Sequence, residues 1–506
     1  MTSVFNGPRP DVVIIGSGMG GATYAAALAA TERQVLILER GERLQPSSAD
    51  RDAQAIFRDG VFRSCETWLD GAGKPFYPGN YAMVGGNSKL YGAALIRYRA
   101  QDFSARQHVG GTTPDWPLSY DELEPFYAEA EQLYRVHGNS LSDDPTEPRR
   151  STDYAFGAVP HEPDIARLKA QLEAVGAHPT SIPLGVDLDA WLGVAQTPWD
   201  AFPNSGGGKM DAETCALNQA LKSPNVRLAT GCKVVRLVEG ADGRVDHAVV
   251  ESDGRPLEVR ADHFVLAAGA VQSAALLLAS RCEQRPSGLA NSSDQVGRNF
   301  MNHNASALMA LHPFRRNRAV YQKTLMLNDF YDDGPDGQGP LGNVQMLGKI
   351  SGDILSANAP GLGPFAGWIA RRSFDFYAMS EDLPDPDSRI TLHDGQIRLD
   401  WRRTNWEAHE GLVAALKALL RRAGFPIVLS RAFDHRTPSH QCGTARMGDD
   451  PRSSVVNPWG QSHDHPNLII SDASVFVTSA AVNPALTIAA LSLRSAQALA
   501  QGKMTV

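Results

Sequence analysis

At 506 residues, 42% of them hydrophobic and 21% charged, the chain is long enough for two or three domains or one large interleaved unit and has a globular balance. A formal net charge of -8 with no basic run excludes the usual nucleic-acid binder. No apolar run reaches the length of a membrane span, and MTSVFNGPRP lacks a secretory pattern. The five cysteines (Cys65, Cys215, Cys232, Cys282, Cys442) contain no CxxC pair, so a reduced, cytoplasmic protein without a metal or haem motif is expected.

Val12 to Ile15 read as a short buried strand that runs into Gly16-x-Gly18-x-x-Gly21 and an Ala-rich helix. This is the layout of a dinucleotide-binding turn: Gly16 allows the tight turn, Gly18 lets a pyrophosphate approach the backbone, and Gly21 lets helix and strand pack closely. The helix N-terminus adds free N–H groups and a partial positive charge. A Gly-rich turn can also join strand to helix with no ligand. Here a second strand, Gln34 to Leu38, ends in Glu39-Arg40-Gly41, which places an acid 18 residues beyond Gly21, where a ribose-binding carboxylate is expected.

Further on, Gly85-Gly86-Asn87-Ser88 either exposes backbone N–H groups to a ligand or forms a turn. Ser119 and Glu122 make a capping box, followed by a helical core stripe of Leu123, Phe126, Tyr127, Ala130 and Leu133. Asp143 to Pro163 reads as a connector. Pro179 to Lys209, with Trp191 and Trp199, reads as a long irregular stretch. Val226 to Val238 and Asp246 to Glu251 alternate as strands. His263 to Gly269 and the helix Ala270 to Ser280 repeat the strand-Gly-helix order of the N-terminus and so belong to the same sheet. From His312 to about Arg431, strand-like pieces (Phe374 to Met379, Arg389 to Leu392) and a helix from Trp406 to Ala423 indicate a substrate-side domain built on a sheet. Asn467 to Asp472 is a buried strand ending in an acid, and Pro484 to Leu499 a long apolar helix.

Two C-terminal motifs complete the pattern: His440-Gln-Cys-Gly443-Thr444-Ala-Arg446-Met447-Gly448 and Asn483-Pro484-Ala-Leu486-Thr487-Ile. Together with the Gly16, Gly86 and Gly269 motifs and Asp472, they resemble the glucose-methanol-choline (GMC) oxidoreductases, FAD-dependent alcohol oxidases and dehydrogenases. The resemblance implies an α/β fold, with a Rossmann-like FAD-binding domain and a second, sheet-based substrate domain. The FAD-binding domain would be assembled from residues 1–115, 215–311 and 436–506, and the substrate side from 116–214 and 312–435.

Carried over by residue, the resemblance implies that Gly16, Gly18 and Gly21 hold the FAD pyrophosphate and Glu39 the adenosine ribose, with Met19, Gly20 and Arg40 also in the cofactor set. Val234 or Val235 would pass a backbone contact to adenine, and Gly86, Asn87 and Ser88 would lie along the isoalloxazine edge. Ala268 and Gly269, Asp472 and Ala473, and Asn483, Pro484 and Leu486 complete the set. No His stands beside Leu90 and Tyr91, where relatives attach flavin covalently, so non-covalent FAD is expected. His440 and Asn483 match the active-site pair, with His435 and His303 as alternative bases. An imidazole accepts the hydroxyl proton near neutral pH, and an amide fixes the oxygen while a hydride leaves the carbon. Cys442, two residues past His440, reads as a small buried thiol.

The His/Asn pair resembles the sugar-oxidising and sterol-oxidising branches. Acids at Asp329, Asp332, Asp333, Glu381, Asp382 and Asp385 favour a sugar, glycoside or amino sugar. Hydrophobic alcohols or sterols, and a redox-silent lyase of the same fold, stand as alternatives. Oxygen or a separate electron acceptor would take the electrons.

Overall fold

The computed structural model describes residues 7–142, 144–194, 200–437 and 440–504. The first six residues, Asp143 and Trp199 lie outside them. The five-stranded parallel sheet runs in the order Val226–Ala229, Val35–Leu38, Val12–Ile15, His263–Leu266, Leu468–Ile470. Its three central strands are apolar runs buried almost throughout, as expected where both faces of a sheet are covered. The register sets Ile15 beside Leu38 and Leu266, so these strands end level with one another. Gly16, Glu39, Ala267 and Ser471 therefore emerge along one carboxyl edge, the edge at which open α/β sheets bind ligands.

On one face the helices Met19–Leu28, Tyr120–Leu133 and Ala485–Ala500 pack together. The middle helix starts as its sequence predicts: Ser119 Oγ accepts from Glu122 N–H and the Glu122 carboxylate accepts from Ser119 N–H. Its buried stripe docks through a Tyr127–Thr487 hydroxyl pair at 2.7 Å. The apolar stretch from Val226 breaks at Gly231 (φ +61), which diverts the chain out of the parallel sheet. It continues as Cys232–Glu239 in an antiparallel sheet with Val245–Ser252 and Arg255–Arg260.

The substrate side is a six-stranded antiparallel sheet in the order Ile427–Ala432, Asn304–Leu311, Ser373–Ser380, Asn343–Met346, Leu325–Leu327, Thr180–Ser181. Asn304–Leu311 comes from the stretch assigned above to the nucleotide part, and Thr180–Ser181 from the stretch read as irregular. Strand alternation divides the two faces. Leu308, Ala310, Val344, Phe376 and Ala378 pack against the helix Trp406–Arg422, whereas Ala307, Met309, Gln345 and Tyr377 face a large cavity.

Candidate active site

One cavity of about 1760 Å³ runs between the carboxyl edge of the parallel sheet and the open face of the antiparallel sheet. Drug-sized ligands occupy pockets of roughly 300–1,000 Å³, so the volume suits an extended dinucleotide together with a substrate.

Its nucleotide end is built mostly from backbone. Gly16 has φ +102, and a Cβ there would lie 2.4 Å from the Ala267 carbonyl oxygen. A Cβ on Gly18 would meet nothing within 4 Å, so that position opens on the cavity. The helix begun at Met19 has no side-chain cap, which leaves its first N–H groups for a ligand. Gly20 and Gly21 allow close packing: their Cβ atoms would fall 1.7 Å from the Ser471 carbonyl oxygen and 2.0 Å from that of Gly16. Glu39 turns its carboxylate to Ser17 N–H at 3.0 Å, Ser17 Oγ at 2.7 Å and Gly41 N–H at 2.8 Å. Asp472 ties two motifs together, accepting from Gly269 N–H at 2.9 Å and Ser273 Oγ at 2.5 Å through one oxygen and from Ser474 N–H and Oγ through the other. Burial raises its pKa.

Most of the expected cofactor residues line this cavity: Gly16, Gly18, Met19, Gly20, Glu39, Arg40, Gly86, Asn87, Ser88, Val234, Ala268, Gly269, Asp472, Ala473, Asn483 and Pro484. Two do not. Gly21 sits behind the turn, packed on Gly16 and Ile14, and Leu486 points into the helix core, fully buried. Val235 lines the wall beside Val234.

At the far end stand His440 and Asn483, with Nε2 and Nδ2 3.3 Å apart. His440 has φ +72 in a loop held by backbone pairing, Met301 with Cys442 in both directions at 2.9–3.0 Å and Gly443 N–H to the Ala473 carbonyl at 3.0 Å. Counting two residues from the Met301–Cys442 pair in each direction sets His303 opposite His440, and their Nδ1 atoms meet at 2.8 Å. His303 Nε2 lies 2.9 Å from the Ser479 carbonyl oxygen, which also accepts from Tyr98 OH at 2.8 Å. Burial pushes the pKa of His303 down to about 4. Burial, then the neighbouring His303 and Lys323, hold that of His440 well below the ordinary histidine value. His435 also lines the cavity, edge-on to Phe76, whereas His303 stays behind His440.

The sequence reading missed three wall residues: Lys323, paired with Asp200 at 2.6 Å, and Gln345. The six acids that favoured a polar substrate stand away from the cavity lining. Asp329 holds His178, Asp332 holds Arg106, Asp333 takes Gly339 N–H, and Asp385 takes Asp387 N–H. Their spacing in the sequence carried no information about which face of the sheet they would occupy. Cys442 is buried, and burial lifts its thiol pKa well above the usual range, so it is a poor nucleophile. All five cysteines are unpaired. Among the described residues no His/Cys/Asp/Glu cluster suits a metal, and no helix is long and apolar enough to cross a membrane.

Glu381 and Asp382 instead support the loop that carries Asn483. Glu381 accepts from Ala480 N–H at 3.0 Å and faces His108 Nε2 at 3.4 Å, and Asp382 exchanges hydrogen bonds with Ser479. Burial, reinforced by Asp102, raises the Glu381 pKa to about 8; burial raises Asp382 and Asp102 to about 6. Above the ordinary carboxyl range the unfolded chain has lost a proton that folded Glu381 keeps. Stability therefore falls with rising pH, by about 1.4 kcal/mol per pH unit for such a group, until the folded pKa is passed. Glu381→Gln keeps the acceptor for Ala480 and presents an N–H to His108. Urea unfolding between pH 7 and 9, above the range in which the buried histidines of depressed pKa respond, should show a shallower decline for this variant. Parallel slopes for variant and wild type would remove Glu381 as the source.

The fold and relatives agree with this architecture. Models of the GMC oxidoreductase family match residues 11–305 and 384–492. The chain is 30% identical to 6'''-hydroxyparomomycin C oxidase of Streptomyces lividus and 29% identical to paromamine 6'-oxidase of Streptomyces fradiae, in both cases over 97% of this chain and 91% of the relative. It is 27% identical to the fructose dehydrogenase large subunit of Gluconobacter japonicus, over 97% of each chain. Pyridoxine 4-oxidase from Mesorbium loti superposes with a TM-score of 0.67 at 20% identity, covering 97% of this chain and 99% of that one, which establishes the shared fold. With FAD as the cofactor, a nucleotide end built mostly of backbone and a His/Asn pair at the far end of the cavity, the chain belongs to the GMC oxidoreductases and is an FAD-dependent enzyme acting on CH–OH groups.

Proposed function

We propose that the chain oxidises a CH–OH group of a sugar, glycoside or amino sugar to the carbonyl, with His440 as the proton acceptor and Asn483 as the group that orients the substrate oxygen. The observation that carries this reading is the pairing of His440 Nε2 with Asn483 Nδ2 in the same cavity that opens at Gly18. A hydroxyl placed between them gives its proton to Nε2 and takes a hydrogen bond from Nδ2, which aims its C–H bond. FAD, when bound, supplies the acceptor for the hydride. The depressed pKa keeps His440 neutral, as an acceptor must be. We infer that FAD is held without a covalent link and that the residues lining the nucleotide end make its contacts.

A polar substrate is supported by the wall itself. Gln345 is buried and its Oε1 has no hydrogen-bond partner, an acceptor beside Asn483 suited to a second hydroxyl or an ammonium group. The two aminoglycoside oxidases among the relatives point to the same substrate class.

The test is the visible spectrum of the anaerobic holoprotein before and after paromamine, D-fructose, methyl glycosides and cholesterol. Bleaching by an amino sugar or sugar is the expected result, and readmitted air then shows whether oxygen is the acceptor. Bleaching by cholesterol alone would overturn the substrate class, and a flavin that no alcohol bleaches would favour the redox-silent lyase. With the bleaching substrate, the reduction rate should stay level as pH falls through 6.5, because the pKa of His440 lies below it. A decline centred at the ordinary histidine value would contradict the buried, neutral acceptor.

A further inference from the structure

Two buried hydrogen-bond chains converge on His440, and both end on groups that can only accept. The first begins at Asp144, whose Oδ2 meets the Arg99 guanidinium at 2.8 Å while Oδ1 accepts from Thr146 N–H and Oγ. Asn328 must therefore turn its NH₂ to Asp144 (2.6 Å), which presents its Oδ1 to Asn343. Asn343 Nδ2 donates to that oxygen at 2.7 Å, so its own Oδ1 faces Gln345 and accepts from Nε2 at 2.9 Å. The second hydrogen of Gln345 Nε2 goes to Asn483 Oδ1 at 2.8 Å. Asn483 is left with its NH₂ toward His440, and an NH₂ group can only meet a bare Nε2.

The second chain begins at the Ser479 carbonyl. It requires a hydrogen on His303 Nε2. His303 is kept neutral by burial, so its Nδ1 is bare and takes the hydrogen of His440 Nδ1. The two chains are independent of one another, and they assign His440 the same tautomer: Nδ1 protonated, Nε2 free toward the cavity. Amide orientation and imidazole tautomer are decided by such partners.

We propose that the tautomer of His440 is set from outside the active site, by Asp144 at one end and the Ser479 carbonyl at the other, and that Asp144, Gln345 and His303 are positioning residues for the reaction. The effect on turnover rests on His440 being the proton acceptor, whereas the tautomer itself does not. Asp144 lies in the stretch read from sequence as a connector, of which no described residue lines the cavity. Its carboxylate reaches Asn483 through three amides, Asn328, Asn343 and Gln345, each nearly fully buried and so shielded from water that would reset its orientation.

The test is made on the FAD-loaded protein with ¹⁵N-labelled histidine, reading the ring nitrogens by long-range ¹H–¹⁵N correlation at pH 7. His440 is assigned by its loss in His440→Gln. Wild type should show His440 with a protonated Nδ1 and a bare Nε2; a protonated Nε2 would overturn the proposal. Asp144→Asn puts an NH₂ where Oδ2 stands, so each amide in the chain is driven to invert and Asn483 to turn its oxygen toward Nε2. The Nε2-protonated form should then appear, and flavin reduction by the substrate that bleaches wild type should slow by on the order of tenfold or more. An unchanged His440 pattern would show that the chain does not transmit. Should Arg99 without its partner prevent folding, Asn343→Leu cuts the same chain with an apolar side chain, and mixed tautomers are expected, with a wild-type pattern again overturning the proposal. His303→Gln, able to accept from His440 and donate to Ser479, should keep the wild-type tautomer, and His303→Leu should lose it. Loss in both or retention in both would overturn the role of His303. The proton-acceptor reading is tested separately: a wild-type reduction rate in His440→Ala would refute it and leave the tautomer assignment standing.

Discussion

His440→Ala should bind FAD as wild type does and reduce it with substrate about a hundredfold or more slowly, the usual scale for loss of a general base. The separation of the two effects follows from the geometry. His440 meets the cavity beside Asn483 at the end away from the Gly18 turn, and its loop is held by backbone pairing with Met301 and Ala473 that an alanine leaves in place. His303 would lose one partner and keep its bond to the Ser479 carbonyl. Stopped-flow absorbance under anaerobic conditions measures the rate, and the flavin-to-protein ratio measures the binding. A reduction rate within a few-fold of wild type would take His440 out of the mechanism. His435, the other imidazole on the wall, would then be the residue to replace next.

Two substitutions two residues apart should fail in opposite ways. Gly18→Val projects its side chain into open cavity, so the protein should fold with nearly wild-type stability while FAD binding weakens by about tenfold to a hundredfold, the equivalent of an overpacking cost of about 1–3 kcal/mol. Gly20→Ala places a Cβ 1.7 Å from the Ser471 carbonyl oxygen, a backbone atom that moves only with its strand. Its primary loss should be in folding, seen as a lowered urea midpoint of the apoprotein as well as a lowered yield. Equal apoprotein stability in the two variants would mean that the turn is less tightly packed against the Leu468–Ile470 strand than it stands here.

The nucleotide half was legible in the sequence because its information is local. A four-residue apolar run, a glycine at the turn and a helix directly behind it are adjacent in the chain, and a register that aligns the strand ends brings the separate motifs to one edge. Leu486 entered the set through the resemblance of its motif, and the helix turns that residue into the core. Gly21 packs as its spacing implies and stands behind the cavity wall. The substrate half was less legible because its contacts are set by pairing between distant strands. His303 faces His440 across 137 residues through the Met301–Cys442 register, and Gln345 reaches the wall because it sits on the odd side of its strand, as Ala307, Met309 and Tyr377 do on theirs. Acid content alone could not say which acids would face inward. Asp144 sits among Pro, Ser and Asp in a stretch with no periodicity, and only its distant partners, Arg99 and Asn328, reveal what it holds.

The two walls of the cavity differ in what they are made of, and this bears on how such an enzyme can change. The cofactor wall is largely main chain, where glycine substitutions at Gly16 and Gly20 would meet backbone oxygens, so drift there is met with loss of the fold. The opposite wall is one face of a sheet whose other face, through Leu308, Val344, Phe376 and the helix Trp406–Arg422, carries the packing. Ala307, Met309 and Tyr377 can therefore be exchanged without disturbing that core. New alcohols can be admitted one side chain at a time while the redox half is inherited intact, with Gln345 the exception because Asn483, the partner of His440, leans on it.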